Sequence, residues 1–200
     1  MLFKASVWIL SISAVTIFLN ADSASAFGFS QQGFNVTAEP IIGYEFTQVS
    51  SPTIHTRGML IYGARVTVGH QWLSGEGEYT MGSSTETFPS LDQNIKSDKQ
   101  NARLGLRSSK SIVSGLDFLF RAGAQATQTK VTSTTISSGM SLTENPEWEI
   151  HPYAGVGLQG SVVNLLSISV EATYLFRSVK DWSQNDVQTT ASLRFALPTD

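Results

Sequence analysis

Between Leu116 and Thr129 the side chains alternate without a break. One register holds Leu116, Phe118, Phe120, Ala122, Ala124 and Ala126; the other holds Asp117, Leu119, Arg121, Gly123, Gln125, Thr127 and Thr129. Successive side chains of a strand leave by opposite faces, so this is a strand with one apolar face and one polar, partly charged face. Globular strands run to about five or six residues. This one is about a dozen, the length of a bilayer-crossing strand of about 9–11 residues with its rims. A long strand of a soluble sandwich or barrel has the same pattern, and the rest of the chain decides between the two.

The first residues read as an address. Lys4 precedes the apolar run Val7 to Leu19, and Ala24, Ser25 and Ala26 form a small-residue cleavage site. That is a secretory signal peptide over residues 1–26, with residues 27–200 as the mature domain. Removing Lys4 and Asp22 leaves the formal charge at −3, so there is no basic footprint for nucleic acid. The chain has no cysteine, which leaves no disulfide and no thiolate metal site to hold an exported domain together. Neither a metal-ligand motif nor a cofactor motif occurs, and none is expected to be needed.

The alternation of the Leu116 stretch recurs along the chain. Phe34 to Phe46, Leu60 to Val68, Leu73 to Met81, Asn101 to Arg107, Ile150 to Gln159, Leu166 to Phe176 and Val187 to Phe195 all follow it. With the Leu116 stretch that makes about eight strands, an even number suited to an antiparallel closed barrel. The connections sort by length. Thr47–Arg57, Gly82–Asp98, Lys130–Glu147 and Arg177–Asp186 are long and polar, and those between them are short. Such sorting is the mark of a transmembrane barrel, with short turns on the periplasmic side and long loops outside. The loop after Val131 reads as polar and neutral enough to be mobile.

Charge decides which face is wet. The polar register carries Glu39, Glu45, Glu76, Glu78, Asp117 and Glu171 against Arg65, Arg103, Arg107, Arg121 and Arg194. Every cation within these strands is arginine, while Lys96, Lys99, Lys110, Lys130 and Lys180 fall in the intervening loops and turns. Arginine's fork satisfies carboxylates in a confined space, whereas lysine's compact charge keeps to water. The charged face is therefore expected inside, as an Arg–carboxylate network filling a narrow lumen, with Arg65 between Glu76 and Glu78. Tyr44, Phe46, Tyr62, Tyr79, Trp148, Tyr174 and Phe176 would form the outer interface belt, and Phe34, Trp72, Phe118 and Phe195 the inner one. Pro40, which removes a ladder donor, predicts a bulge.

On these registers the chain resembles the small outer-membrane β-barrels of Gram-negative bacteria, the OmpA-type and OmpX-type eight-stranded family. The resemblance covers Phe34 to Leu197 as a pattern. It implies an all-β, eight-stranded antiparallel up-and-down transmembrane barrel in the outer membrane. It implies lipid and lipopolysaccharide as surroundings, the barrel-assembly machinery as a partner, and long loops available to an extracellular partner. The family's terminal aromatic is displaced here, since Phe195 is followed by five more residues ending at Asp200. Some barrels of this size modify lipid A, which needs a hydroxyl, a histidine and a carboxylate together. Around His55, His70 and His151 no such set is legible, so no enzyme is expected. A structural or interaction role comes first and a narrow low-conductance pore second. A soluble lipocalin-like barrel remains the competing fold, and it would place Phe118, Phe120, Ile168 and Val170 inside.

Overall fold

The computed structural model describes residues 34–49, 52, 54–70, 72–144, 146–163, 166–178 and 185–197. The signal peptide expected over residues 1–26, together with Ser50, Ser51 and Lys180, lies outside the described residues. Nine strands follow in order: β1 (Phe34–Val49), β2 (His55–His70), β3 (Leu73–Phe88), β4 (Gln93–Val113), β5 (Leu116–Thr135), β6 (Ser141–Glu144), β7 (Glu149–Val163), β8 (Leu166–Leu175) and β9 (Asp186–Leu197). Each ring strand pairs with its chain neighbour, and β1 pairs with β9, for example Ala38 with Phe195, so eight of the nine form a closed antiparallel ring. The fold is the expected eight-stranded up-and-down barrel.

Alternation then sorts every side chain. The outward register is exposed and apolar: Ile42, Leu60, Tyr62, Val66, Leu104, Leu106, Phe120, Ile150, Leu158 and Val170 all stand on it. Phe118, Phe120, Ile168 and Val170, which a ligand-binding soluble barrel would enclose, are 41, 52, 46 and 61% exposed. The inward register is buried and mostly polar, with Arg65 and Arg121 each 1% exposed and Ile41, Ile61, Leu119 and Leu175 among its apolar members. This is a water-soluble protein turned inside out, and it removes the lipocalin-like competitor.

Three departures from the sequence expectation concern the backbone. Pro40 interrupts the β1–β9 ladder without shifting it, because Ala38 faces Phe195 and Ile41 faces Ser192 in one unbroken register. There is no extra residue to bulge. Proline lacks a donor but its side chain still takes the next outward place, so Glu39 and Ile41 stay buried on the inward face. The register shifts lie instead between Ser111 and Val113 and between Ser161 and Val163, at the short turns.

The second departure is length. The stretches 82–98 and 130–147, read as loops because they are polar, are largely strand. Gly82 to Phe88 pairs residue by residue with Lys99 to Gln93, and Lys99 to Gln93 pairs with Thr129 to Thr135. Their threonines, Thr85, Thr87, Thr129, Thr132, Thr134 and Thr135, are β-branched and fit a pleated surface, polar or not. The third departure is β6, which pairs with β5 beyond the ring. The segment after Val131 is thus a paired hairpin and not a mobile loop. Above the ring β3, β4, β5 and β6 continue together as an outer extension.

Asp92 holds the tip of this extension. It has φ 53 at the β3–β4 turn, and its carboxylate accepts from the Ser137 amide at 3.1 Å and from the Ser137 hydroxyl. Its own carbonyl accepts from the Ile136 amide at 2.9 Å. One residue therefore clasps two hairpins. In Asp92→Ala the Ser137 amide should exchange with solvent about 10–100-fold faster, the effect of losing a carboxylate hydrogen bond worth ~1–3 kcal/mol to local opening, while the Ile136 amide keeps its backbone carbonyl. Amides of β7, β8 and β9 should be unchanged. Equal exchange at Ser137 in both proteins would show that the clasp carries no stability.

Candidate functional site

The lumen brings most of the inward charges together. Each is placed there by strand period alone: Glu39 and Glu45 on β1, Arg65 on β2, Glu76 and Glu78 on β3, Arg103 and Arg107 on β4, Arg121 on β5, Glu171 on β8. Arg65 lies at the centre. Its Nη1 is 3.0 Å from Glu39 and 2.7 Å from Glu171, its Nε donates to Glu78 at 2.9 Å, and Glu76 is 3.9 Å away. Arg121 is the residue that bridges the two neighbouring acids of β3. Its Nη2 is 2.8 Å from both Glu76 Oε1 and Glu78 Oε2, and its Nη1 is 2.7 Å from Glu171. Arg65, expected in that place, shares it, ion-paired to Glu78 at 2.8 Å and to Glu76 at 3.9 Å, while Arg65 also takes Glu171 on the far wall. Arg65 and Glu171 are 106 residues apart in sequence, so no local pattern could have indicated the pairing.

Two more arginines complete the cluster. Arg103 Nη1 donates to Glu78 at 2.6 Å, with Gln125 and Gln188 accepting from its other nitrogens. Arg107 Nη1 donates to Glu39 at 2.7 Å and its Nη2 to Gln159 at 3.1 Å. Arg194, half-buried toward the short-turn end, donates to the same Gln159 oxygen at 3.0 Å and lies 3.5 Å from Glu39. Buried charges are tolerable only when paired and hydrogen-bonded, and here each carboxylate meets two or more guanidiniums. Asp117 is the exception. It is half-buried at the short-turn end of β5 and makes no ion pair among the described residues.

Glu45 belongs to a different cluster, and its partner is a lysine. Lys99, assigned to a loop from sequence, stands on β4 with its side chain 4% exposed; it is ion-paired to Glu45 and lies 3.0 Å from Asp186. Asp186 is also 2.9 Å from Arg177. The rule that only arginine enters the lumen therefore fails at its outer end. Lys99 lies in the same alternating register as Asn101 and Arg103, and that continuation was the available signal. Lys96, Lys110 and Lys130 also stand on strands, with outward registers.

Tyr153 on β7 was read only as an inward neighbour of His151, and it is the largest uncharged piece of the plug. It is 2% exposed, its hydroxyl donates to Glu76, and the guanidinium carbons of Arg103 and Arg121 lie 5.4 and 5.5 Å from its ring centre. A cation over a ring face is favourable where water is excluded. Gly105 makes this possible, since a Cβ there would overlap the Tyr153 hydroxyl. Small residues opposite large ones fill a narrow barrel.

Two of the histidines lie beside carboxylates. His55 Nε2 is 3.1 Å from Glu86, its ring beside Phe88 with centroids 5.6 Å apart. His151 Nε2 is 3.3 Å from Glu149. No group of acids and histidines able to hold a metal occurs among the described residues.

The aromatics stand in two outward rows. Tyr44, Phe46, Tyr62, Tyr79 and Trp148 are exposed near the outer end, where Tyr174 and Phe176 are partly covered by stacking on each other at 5.0 Å. Trp72, Phe118 and Phe195 are exposed near the short turns; of Phe34 only its place at the start of β1 is described. Beyond the outer row the outward face of the wall turns polar. On β4 and β5 the outward places pass from Leu104 and Ala102 to Gln100, Asp98 and Lys96, and from Ala126 to Gln128, Lys130 and Thr132. The inward places there mix Phe88, Ile95 and Val131 with Ser84, Glu86, Gln93, Ser97 and Ser133. Asp98 is 3.3 Å from Lys96, and a hydrogen bond from Ser83, with the two lysines nearby, holds its carboxyl below the ordinary value.

No protein-family model matches the sequence, and no curated protein is similar to it. Solved structures are similar in fold. Neisserial surface protein A superposes with a TM-score of 0.55 at 12% identity, covering 82% of this chain and 97% of its own. The attachment invasion locus protein Ail of Yersinia pestis gives 0.53 at 12% identity, covering 83% and 99%. The N-terminal barrel domain of Pseudomonas aeruginosa OprF gives 0.52 at 13% identity, covering 83% and 100%. All three are small Gram-negative outer-membrane barrels.

Proposed function

We propose that this chain spans a bacterial outer membrane as a closed, non-enzymatic barrel and meets its surroundings through the outer extension. The observation that supports this reading is the inverted wall: apolar side chains exposed around the ring, paired charges buried within it. In water that wall would be an apolar belt far larger than monomeric proteins tolerate. In lipid, the opposite arrangement would cost about 2–4 kcal/mol for each arginine at mid-depth. The fold shared with outer-membrane barrels agrees with it.

Closure follows from the plug. Four arginines, four glutamates and Tyr153 meet across the lumen, and a hydrated ion would have to separate them. A narrow pore is the second reading, favoured only by the polarity of the lumen. Catalysis is not part of this reading; His55 and His151 lie beside the carboxylates of Glu86 and Glu149. Lipopolysaccharide, the barrel-assembly machinery and an extracellular protein remain the partners this reading implies. One Ail structure is a complex with the heparin analogue sucrose octasulfate, and an anionic saccharide is the chemistry to try first on the extension.

The mature protein, refolded in detergent, should migrate differently before and after boiling, and it should fail to fold without detergent. Bilayers containing it should show no conductance steps. Folding as a detergent-free monomer would sink the membrane reading, and steady channels in the wild-type protein would replace the closed barrel with the pore. Removal of residues 133–143 should leave the mobility shift intact and abolish any partner binding.

A further inference from the structure

We infer that the outer mouth of the lumen binds a small amphipathic carboxylate, its head on the free edge of Arg57 and its apolar body against Phe88, Ile95 and Val131. The site lies above the plug and on the inward register, apart from the outward face of the barrel, so the inference goes beyond the reading above.

Arg57 is the cation that the ion pairs at this end of the lumen leave out. It stands on β2 in the inward register of Met59 and Ile61, half-buried, and its Nη1 donates to the Ser97 hydroxyl on β4. It makes no ion pair among the described residues, and its Nε and Nη2 have no acceptor there. The nearby acids are engaged elsewhere. Glu45 and Asp186 are both held by Lys99, and Asp186 by Arg177 as well. Glu86 is turned to His55, whose Nε2 is 3.1 Å from each of its oxygens. Burial holds the Arg57 guanidinium below the ordinary arginine value against the pull of Glu86, Glu45 and Asp186, and Arg177 lowers it further. The open Nε–Nη2 edge is the planar fork that a carboxylate fills with two parallel hydrogen bonds.

The surroundings supply donors on one side and apolar surface on the other. Ser97 accepts from Arg57, which leaves its own hydroxyl proton free to donate. Beside it in the ladder stands Ser84, whose hydroxyl oxygen is buried with no hydrogen-bond partner. Buried hydroxyls are normally satisfied, so this one marks a place for an acceptor. On the other flank Val131 stands opposite Ser97. Ile95 is the next inward place on β4, and Phe88 follows Glu86 on β3, its ring 5.6 Å from that of His55. These three apolar side chains stay partly exposed where the lumen meets water. A ligand with one carboxylate and a ring or short alkyl body covers both halves of the site. A phosphate or sulfate would match the donors and leave the apolar wall wet.

The test uses the full mature protein folded in detergent micelles, with benzoate as the probe and the Arg57 Nε–H and Ser97 amide resonances as the readout. Benzamide keeps the ring without the charge, acetate keeps the charge without the ring, and inorganic phosphate offers a charge of another shape. Benzoate should shift both resonances saturably. Acetate and phosphate should bind about tenfold more weakly or worse, and benzamide should leave Arg57 Nε–H in place. In R57Q the affinity read at Ser97 should fall about tenfold or more, the effect of losing a charge-assisted pair. E86Q should bind roughly two- to fivefold more tightly, because it removes the acid with the largest pull on Arg57. Damage to the fold could not produce that gain. K130Q, changed on the outward face, should match the wild type. Unchanged affinity in R57Q, failure of E86Q to tighten, or benzamide binding as well as benzoate would overturn the assignment. So would a loss in K130Q equal to that in R57Q, which would mean diffuse charge. Acetate or phosphate binding as tightly as benzoate would overturn the apolar half and leave a general anion site. A protein that keeps its heat-induced mobility change yet shows no saturable shift would overturn the site while sparing the membrane reading.

Discussion

Arg65→Met should destabilise the barrel by about 3 kcal/mol, at the low end of the 3–5 kcal/mol typical when one partner of a buried ion pair is removed. The low end is expected because no carboxylate is left alone. Glu78 keeps Arg103 and Arg121, Glu171 keeps Arg121, and Glu39 keeps Arg107. What is lost is the residue that joins opposite walls, and the cost is the mutual repulsion of the four acids that shared it, Glu76 among them keeping Arg121. Restoring the count should restore stability, so Arg65→Met with Glu171→Gln should recover more than half of the loss. Urea unfolding in detergent micelles measures both. A single variant within ~1 kcal/mol of wild type would mean that the pairing merely offsets the cost of burial.

Tyr153→Ala should have a second large effect, on permeation as well as stability. It removes the ring between Arg103 and Arg121, the donor to Glu76, and the group that fills the space beside Gly105. Truncating a buried aromatic costs about 3–5 kcal/mol. Here the void is lined by charges, so water should enter and recover part of it. A wetted void across the narrowest section should turn a silent barrel into one with conductance steps in planar bilayers. Tyr153→Phe keeps the ring and loses one hydrogen bond, so it should cost only ~1–3 kcal/mol and stay closed. Silence in both variants would place the barrier at another level, with Lys99, Glu45 and Asp186 the next candidates.

The ring was legible in the sequence because its cause is local. Period two puts Glu39, Arg65, Glu78, Arg121 and Glu171 on one face whatever else the chain does, and the burial of that face follows from lipid around it. Partners were not legible, because they join residues across the lumen. Arg65 meets Glu171 and Arg103 meets Gln188 only once eight strands have fixed their stagger. Lys99 was missed through a rule about residue type where the register was the better guide. The outer extension was missed because polar residues were equated with loops, although Thr85, Thr87, Thr132 and Thr134 keep the alternation of a strand. Pro40 shows the reverse error, a local rule that expected a bulge where the ladder loses bonds but keeps its register.

The pairing of β1 with β9 has a consequence for how the molecule comes into being. Until the first and last strands meet, the sheet has two raw edges and Glu39 cannot reach Arg194 of β9 or Arg107 of β4 as it does in the closed ring. Closure and the final neutralisation of charge are therefore one event. Chains that had seamed with a wrong stagger would leave acids and bases mismatched in a medium that does not forgive unpaired charge. The lumen thereby acts as a proofreading lock: it rewards one stagger out of several that backbone hydrogen bonding alone would accept. The closing step should be slow, since it joins the most distant parts of the sequence, and once made it should be hard to undo.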